Sequence, residues 1–326
     1  MSIASQAFRA GFAALMIGAA PLVVAQENYP SKPIRMIVAF APGGGTDIIG
    51  RFAAKAIQDA LGASVVVENK PGAGGAIGTE LVAKSPPDGY TLITGGTGSH
   101  AINPALFPKL PYDPVRDFAP VSLVAATPYL MLVANTVPAQ NVKEFIALAK
   151  QKPGELAMAS SGNGGMPHLA GELFQLLAGV KLSHVPYKGT GQVFPDLIPG
   201  RVHVTFSDIV AAYPHVQSGR VRVLAVTSPT RVPSYPDVPT LAEAGVPGYE
   251  AVGWFGVFAP AGTPAPIVRK LRDAIASQIS QPATRKTLEA QGAEPVANTP
   301  EEFAAVLKTD IARWAKVVKE SGAKVD

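Results

Sequence analysis

Apolar and polar positions change places in short blocks along this chain, and the blocks read as strands and helices taking turns. Ile34–Phe40 is a β-branched apolar run that ends in Pro42-Gly43-Gly44-Gly45-Thr46-Asp47, after which apolar residues recur at helical spacing to Leu61. Val65–Glu68 reads as a second short strand. Asn69-Lys70-Pro71-Gly72-Ala73-Gly74-Gly75 leads from it into a helix over Ala76–Lys84, and Pro86-Pro87-Asp88-Gly89 turns the chain into a third strand, Tyr90–Thr94. A long strand pair follows, Val121–Ala126 and Tyr129–Ala134, placed on either side of Pro128. The alternation then restarts with helix Val142–Lys150, strand Leu156–Ser160, the glycine-rich Ser161–Gly165 and helix Pro167–Ala178. Strands at Leu182–Val185, Val202–Phe206 and Val221–Thr227 are separated by helices at Val193–Ile198 and Ile209–Gln217. Tyr249–Ala259 is another strand-like run, and helices over Pro264–Ser280, Pro282–Gln291 and Pro300–Ser321 close the chain. Strands and helices alternating at such short intervals predict parallel sheets with right-handed crossovers. Two such α/β units, joined by long strand segments instead of one loose linker, predict two lobes with a cleft between them.

The first 25 residues have a different pattern. Arg9 is the one charge ahead of an apolar run, Ala10–Val24, that ends in Val23-Val24-Ala25 before the polar Gln26-Glu27-Asn28. The run is shorter than the ~20 residues that span a bilayer, so a cleaved signal peptide is expected over residues 1–25, with mature protein from near Gln26. A retained membrane anchor is the alternative. Export would place the protein where ATP, NAD and GTP are scarce, and no cofactor is expected.

Composition narrows the chemistry further. Of 326 residues, 47% are hydrophobic and 16% charged, which excludes a disordered, highly charged chain. The net charge of +4 is spread without a basic run, so nucleic-acid binding is not expected. With no cysteine, thiolate catalysis, cysteine-ligated metals and disulfides are excluded.

The glycine-rich junctions stand where chemistry is to be expected. Each follows a strand and precedes a helix, where free N–H groups favour an anion, and ligands of open parallel sheets sit beyond the carboxyl ends of the strands. Pro42–Asp47 brings three glycines and Thr46, read as hydroxyl donor and N-cap. Ser160-Ser161-Gly162-Asn163-Gly164-Gly165 repeats the design, with Pro167 in the first helical turn. One such loop alone is better explained as a tight turn; two, one per unit, read as a cleft gripping a carboxylate or other oxyanion. Neither is a nucleotide fingerprint: there is no G-x-x-x-x-G-K-[ST], and Gly43–Gly45 does not continue as G-x-G-x-x-G. Catalytic patterns are thin. No G-x-S-x-G elbow occurs, and of His100, His168, His184, His203 and His215 only His168 lies beside a serine-rich loop, with no matched acid. His168 and Glu172 have metal-ligand spacing without a third ligand, so no metal site is expected. Trp254 and Phe255 read as core or cleft wall.

Longer phrases then become informative. Ile34–Asp47, Val67-Glu68-Asn69-Lys70-Pro71-Gly72-Ala73-Gly74-Gly75 and Pro87-Asp88-Gly89-Tyr90-Thr91-Leu92 resemble the tripartite tricarboxylate transporter receptor (Bug) family. So do Asn103-Pro104-Ala105-Leu106, Tyr112-Asp113-Pro114, Ser160–Gly164 with His168, Val185-Pro186-Tyr187-Lys188-Gly189, Leu224–Ser228, Pro239–Gly245 and Ala259–Pro264. The resemblance runs from about Tyr29 to the C-terminus. It implies a two-lobed α/β fold of the periplasmic-binding-protein type (type II, Venus flytrap), with two mixed sheets, residues 26–124 and 253–326 forming one lobe and 125–252 the other. It also implies a non-enzymatic, monomeric, periplasmic receptor for a small carboxylate, working with membrane transporter subunits or a sensor domain. The ligand contacts it implies fall on Phe40, Pro42, Gly43, Gly44, Gly45, Thr46 and Asp47, and on Thr97 and Asn103. In the second unit they fall on Ser160, Ser161, Gly162, Asn163 and His168, on Tyr187, Lys188 and Gly189, and on Asp208 after the Val202–Phe206 strand. Ala39 stands where the family usually has Pro. Thr190-Gly191-Gln192-Val193-Phe194 departs from the usual small residue and Pro-Ala, and Pro199 replaces a common Gly. The competing expectation is an exported serine hydrolase using Ser160 or Ser161.

Overall fold

A computed structural model describes residues 29–324; the expected leader at 1–25 lies outside them. Strand β1 (Ile34–Val38) is buried except at Arg35, which pairs with Glu68 of β2 (Val65–Asn69) at 2.7 Å. Both strands, with β3 (Thr91–Gly96), run parallel, connected by helices α1 (Gly45–Leu61) and α2 (Ala76–Ala83). A π-helical turn, Gly98–Ile102, and the short α3 (Asn103–Leu106) follow β3; neither is anticipated by the sequence pattern.

The next strand is the spine of the molecule. Instead of the expected pair, β4 is one strand of 17 residues, Phe118–Ala134, and Pro128 lies within it. Its first part pairs antiparallel with β9 (Val252–Pro260), as far as Pro128 opposite Val252. From Tyr129 onward it pairs with β7 (Val204–Asp208) and β8 (Val221–Val226). A proline lacks the N–H a central strand needs, and this one stands where the partner strands change. Beside it, the N–H of Tyr129 donates to Thr227 Oγ1 at 2.7 Å. The strand therefore passes a residue that would interrupt an ordinary ladder.

Helix α4 (Val142–Gln151) leads to the second unit: β5 (Ala157–Ser160), α5 (Met166–Ala178), β6 (Ser183–Pro186), α6 (Phe194–Leu197) and α7 (Ile209–Gln217), the last following β7. Helices α8 (Ala265–Ile279), α9 (Pro282–Ala290) and α10 (Pro300–Ser321) return the chain to the first unit, with the two-residue β10 (Glu294–Pro295) beside β4. Two mixed sheets result, β2-β1-β3-β9-β4-β10 and β8-β4-β7-β5-β6, with β4 in both. Helix α7 packs on α1, and α10 touches both the π-helical turn and α5, so each unit leans on a helix of the other. A capping box at Thr299 and Glu302 starts α10, whose Phe303, Leu307 and Trp314 are buried. Each such side chain contributes about 1.5–3 kcal/mol by leaving water.

Candidate functional site

The loop after β1 is shaped by its glycines and held by one carboxylate. Helix α1 starts at Gly45 with Gly44 as N-cap, so Thr46 sits inside the first turn and does not cap it. Its side chain instead lines the cleft. Asp47 reaches back to the N–H of Gly43 at 3.1 Å and accepts from Arg51 Nε at 3.0 Å. Its other oxygen accepts from Asn69 Nδ2 at 2.9 Å, and the same Asn69 amide donates to the Phe40 carbonyl. Burial alone would push the Asp47 carboxyl up, but Arg51, Asn69 and the Gly43 amide prevail and hold it below its ordinary range. Asp47 is a fastening of the loop and lines no part of the cleft.

The loop after β5 is built in a similar way. Ser160 is fully buried; its hydroxyl lies 2.6 Å from His184 Nε2 and accepts the Gly162 N–H at 3.1 Å. His168 stacks on His184 with ring centres 4.1 Å apart, and its Nδ1 accepts the Gly164 N–H. Burial, with His184 adding to it, lowers the His168 pKa to about 3, so the His168 ring serves as a neutral prop. Ser161 is turned the other way, into the cleft.

The two units meet along a seam of backbone. The N–H of Ala41 donates to the Lys188 carbonyl at 2.9 Å, joining the first loop to the Tyr187-Lys188-Gly189 loop. Gly44 lies against Thr190, and Gly191 against Pro42 and Gly43. At Gly74, with φ +60°, a Cβ would fall 2.0 Å from the Asn163 carbonyl; at Gly45 it would fall 2.3 Å from Asp208 Oδ1. Side chains at either position would hold the units apart.

Behind the seam lies an inner cavity of about 30 Å³, room for about two water molecules. Phe40, Thr46 and Thr97 line it from the first unit, Ser161 and Asp208 from the second. An outer cavity of about 170 Å³ is lined by Gly72–Gly75, Ser161, Gly162, Asn163, Tyr187 and Lys188, and Ser161 borders both. Pro42, Gly43, Gly44, Gly45 and Gly189 belong to the seam. Asn103, Ser160 and His168 line neither space, because their polar atoms support the loops: Asn103 donates to the Gly74 carbonyl at 3.1 Å and to Tyr112 Oη at 3.2 Å. Tyr129, Thr190 and the pair Gly96 and Gly98 line the inner cavity without having been singled out as contacts, and Phe255, read as core or cleft wall, is one of its walls. Gly96 and Gly98 flank Thr97 at the end of β3 and carry the same strand-end signal as the other loops. Tyr129 is disguised by its place in an apolar run.

Asp208 is the charged centre of this space. It caps α7, accepting the Ala211 N–H at 2.8 Å, and also receives the backbone N–H of Gly45 at the start of α1. Burial nevertheless raises its pKa to about 6. Burial, and secondarily Asp208, pushes the Tyr129 phenol well above its ordinary value. No cation lines the inner cavity, and among the described residues no group of three or more His, Asp or Glu is placed to hold a metal.

Comparison with known proteins agrees with this architecture. The family model for the tripartite tricarboxylate transporter family receptor matches residues 49–323. Protein BugT of Bordetella pertussis is 41% identical over 303 residues, covering 93% of each chain. Among solved structures, R. palustris Rpa4515 with adipate is 39% identical with a TM-score of 0.89, covering 91% of this chain and all of that one. MatC from Rhodopseudomonas palustris with bound malate is 36% identical with a TM-score of 0.86, covering 89% of this chain and all of that one. The family is one of substrate-binding receptors, so the alternative of a hydrolase using Ser160 or Ser161 falls. By sequence and by fold, the chain belongs to the tripartite tricarboxylate transporter receptor family.

Proposed function

We propose that this protein is an exported periplasmic receptor that closes its two units around a small organic acid of the adipate and malate class. It would act as a monomer and pass the acid to a tripartite tricarboxylate-type transporter in the membrane, or to a sensor domain. The observation that carries this reading is the placement of two strand-end loops, one from each sheet, on a single cavity to which Thr46 and Ser161 present hydroxyls. Hydroxyls and helix-start amides hold a carboxylate without a fixed counter-charge. The relatives bound to adipate and malate support the ligand class.

In this reading residues 26–124 and 253–326 move as one lobe and 125–252 as the other. The pivots are the Pro128–Tyr129 step of β4 and the start of β9, where the chain crosses between sheets. An inner cavity of about 30 Å³ is far smaller than an adipate, so the lobes part to admit it. Native mass spectrometry of material from the periplasm, followed by calorimetry with adipate, malate and their monoacid analogues, tests the proposal. Expected are a start near Gln26 and saturable binding of at least one diacid, with a smaller radius of gyration in small-angle scattering as bound lobes close. Retention of residues 1–25 in a membrane fraction would overturn export. Absence of binding by every acid would overturn the ligand class.

A further inference from the structure

The inner cavity contains a negative charge of its own. Asp208 lines it, is 2% exposed, and shares it with no lysine, arginine or histidine. The groups turned toward Asp208 come from every neighbouring element. From α7 it has the Ala211 N–H, and from α1 the Gly45 N–H. From β4 comes Tyr129, neutral because burial holds its phenol well above the ordinary value. Thr46, Thr190 and Phe255, which share the cavity, carry no charge. Asp47 and Arg51 of α1 are tied to each other and to Asn69, and neither lines the cavity. His215 of α7 stacks on Phe194, away from the cavity. Among the described residues, the Asp208 charge is thus answered by backbone amides, those of Ala211, Gly45 and its own residue.

A carboxylate entering this space meets a second carboxylate of the same sign in a narrow, largely buried cavity. Two such groups a few ångströms apart do not both stay ionised, and the pair holds one proton between them. We propose that Asp208 makes capture proton-linked: the acid enters as its anion, one proton is drawn from solvent, and the closed cleft holds a carboxyl–carboxylate pair. This rests on the carboxylate-receptor reading and adds the charge state in which the solute is taken. The proton is bound on closing and returned on opening; no covalent bond of the solute changes. Burial that already brings Asp208 to a pKa of about 6 in the absence of a second carboxylate makes the proton available near neutral pH. A solute presenting an ammonium group to Asp208 would bind with no uptake of a proton and would not weaken as pH rises toward 8.

Calorimetry decides it. Adipate and malate are titrated into the exported protein at pH 8 in phosphate and in Tris, whose ionisation enthalpies differ; the difference in heat counts protons. Expected is uptake of close to one proton per acid, with affinity falling about tenfold per pH unit between pH 7 and 9 and levelling off below pH 6. Asp208→Asn preserves shape and capping ability, and should bind with buffer-independent heat and an affinity flat over the same range. Asp208→Ser, another capping side chain, replaces it if the Asn variant does not fold. Binding by the unaltered protein without proton uptake overturns the proposal, and so does uptake that persists in both variants. Failure of both acids to bind anywhere from pH 5 to 9 instead overturns the carboxylate reading itself, and the proposal with it.

Discussion

Thr46 and Ser161 line one cavity from opposite sheets, Thr46 in the first turn of α1 and Ser161 at the start of the glycine-rich loop that leads into α5. Hydrogen bonds from hydroxyls to a carboxylate are worth roughly 1.5–3 kcal/mol. Thr46→Ala and Ser161→Ala should each weaken adipate binding about ten- to a hundredfold in calorimetry. Because Thr46 is not the cap, its removal should leave the melting temperature within about a degree, which a thermal melt checks. A substitution at Gly45 behaves differently. The Cβ of Gly45→Ala would lie 2.3 Å from Asp208 Oδ1, where only movement of a capped, buried carboxylate could make room. Closure should therefore suffer: scattering would show the larger, open radius of gyration even with saturating acid. At this scale the sequence was legible in the hydroxyls and silent on direction. Three successive glycines offer several helix starts, and only tertiary placement decides which residue after them caps. Ser160 and Ser161 are chemically alike, yet strand alternation sends one hydroxyl back to His184 and the other into the cleft.

Among the elements, the loop after β1 depends on a residue from the neighbouring strand. Asn69, the last residue of β2, donates to both the Phe40 carbonyl and Asp47 Oδ1. Asn69→Ala leaves two shielded acceptors without that donor, at a cost of about 1–3 kcal/mol. Denaturant unfolding should register that loss, and calorimetry a weaker grip on adipate from a loop no longer fastened. The alternation of apolar runs and turn residues was enough to place nearly every helix and strand. It failed at β4, because a proline in a central strand normally argues for a break and nothing local reveals that the partners change at that residue. It also missed the π-helical turn at Gly98–Ile102, whose glycine, serine and histidine have no helical spacing; burial around His100 shapes it.

For the whole molecule, buried titratable groups set the response to pH. Burial lowers His100, stacked on Phe258, and His168 to a pKa of about 3. Between about 6.5 and 3 the unfolded chain binds protons that the folded chain refuses, so stability falls as pH falls, by about 1.4 kcal/mol per pH unit for each histidine. Asp208 acts in the opposite sense: with its pKa raised to about 6, the folded chain keeps a proton the unfolded chain releases, so this group adds stability as pH falls toward 4. Net acid sensitivity below pH 6 is the expected result. His100→Phe keeps the stack and removes one titrating ring. The difference in urea-unfolding free energy between pH 7.5 and 4.5 should then shrink by about 3 kcal/mol. A difference equal to that of the unaltered protein would mean that His100 titrates normally in the folded chain.

The continuity of β4 also governs how the molecule comes apart. A strand hydrogen-bonded within both sheets belongs to neither alone, so each sheet loses a central member if the other unravels. Whatever tilt closure requires, the two units should not melt one after the other. Differential scanning calorimetry should therefore record a single transition whose van't Hoff and calorimetric enthalpies agree. A gene fragment ending at residue 124, or one beginning at 125, would encode half a backbone ladder with its edge bare. Such fragments should be recovered aggregated when made separately, and refold only when mixed.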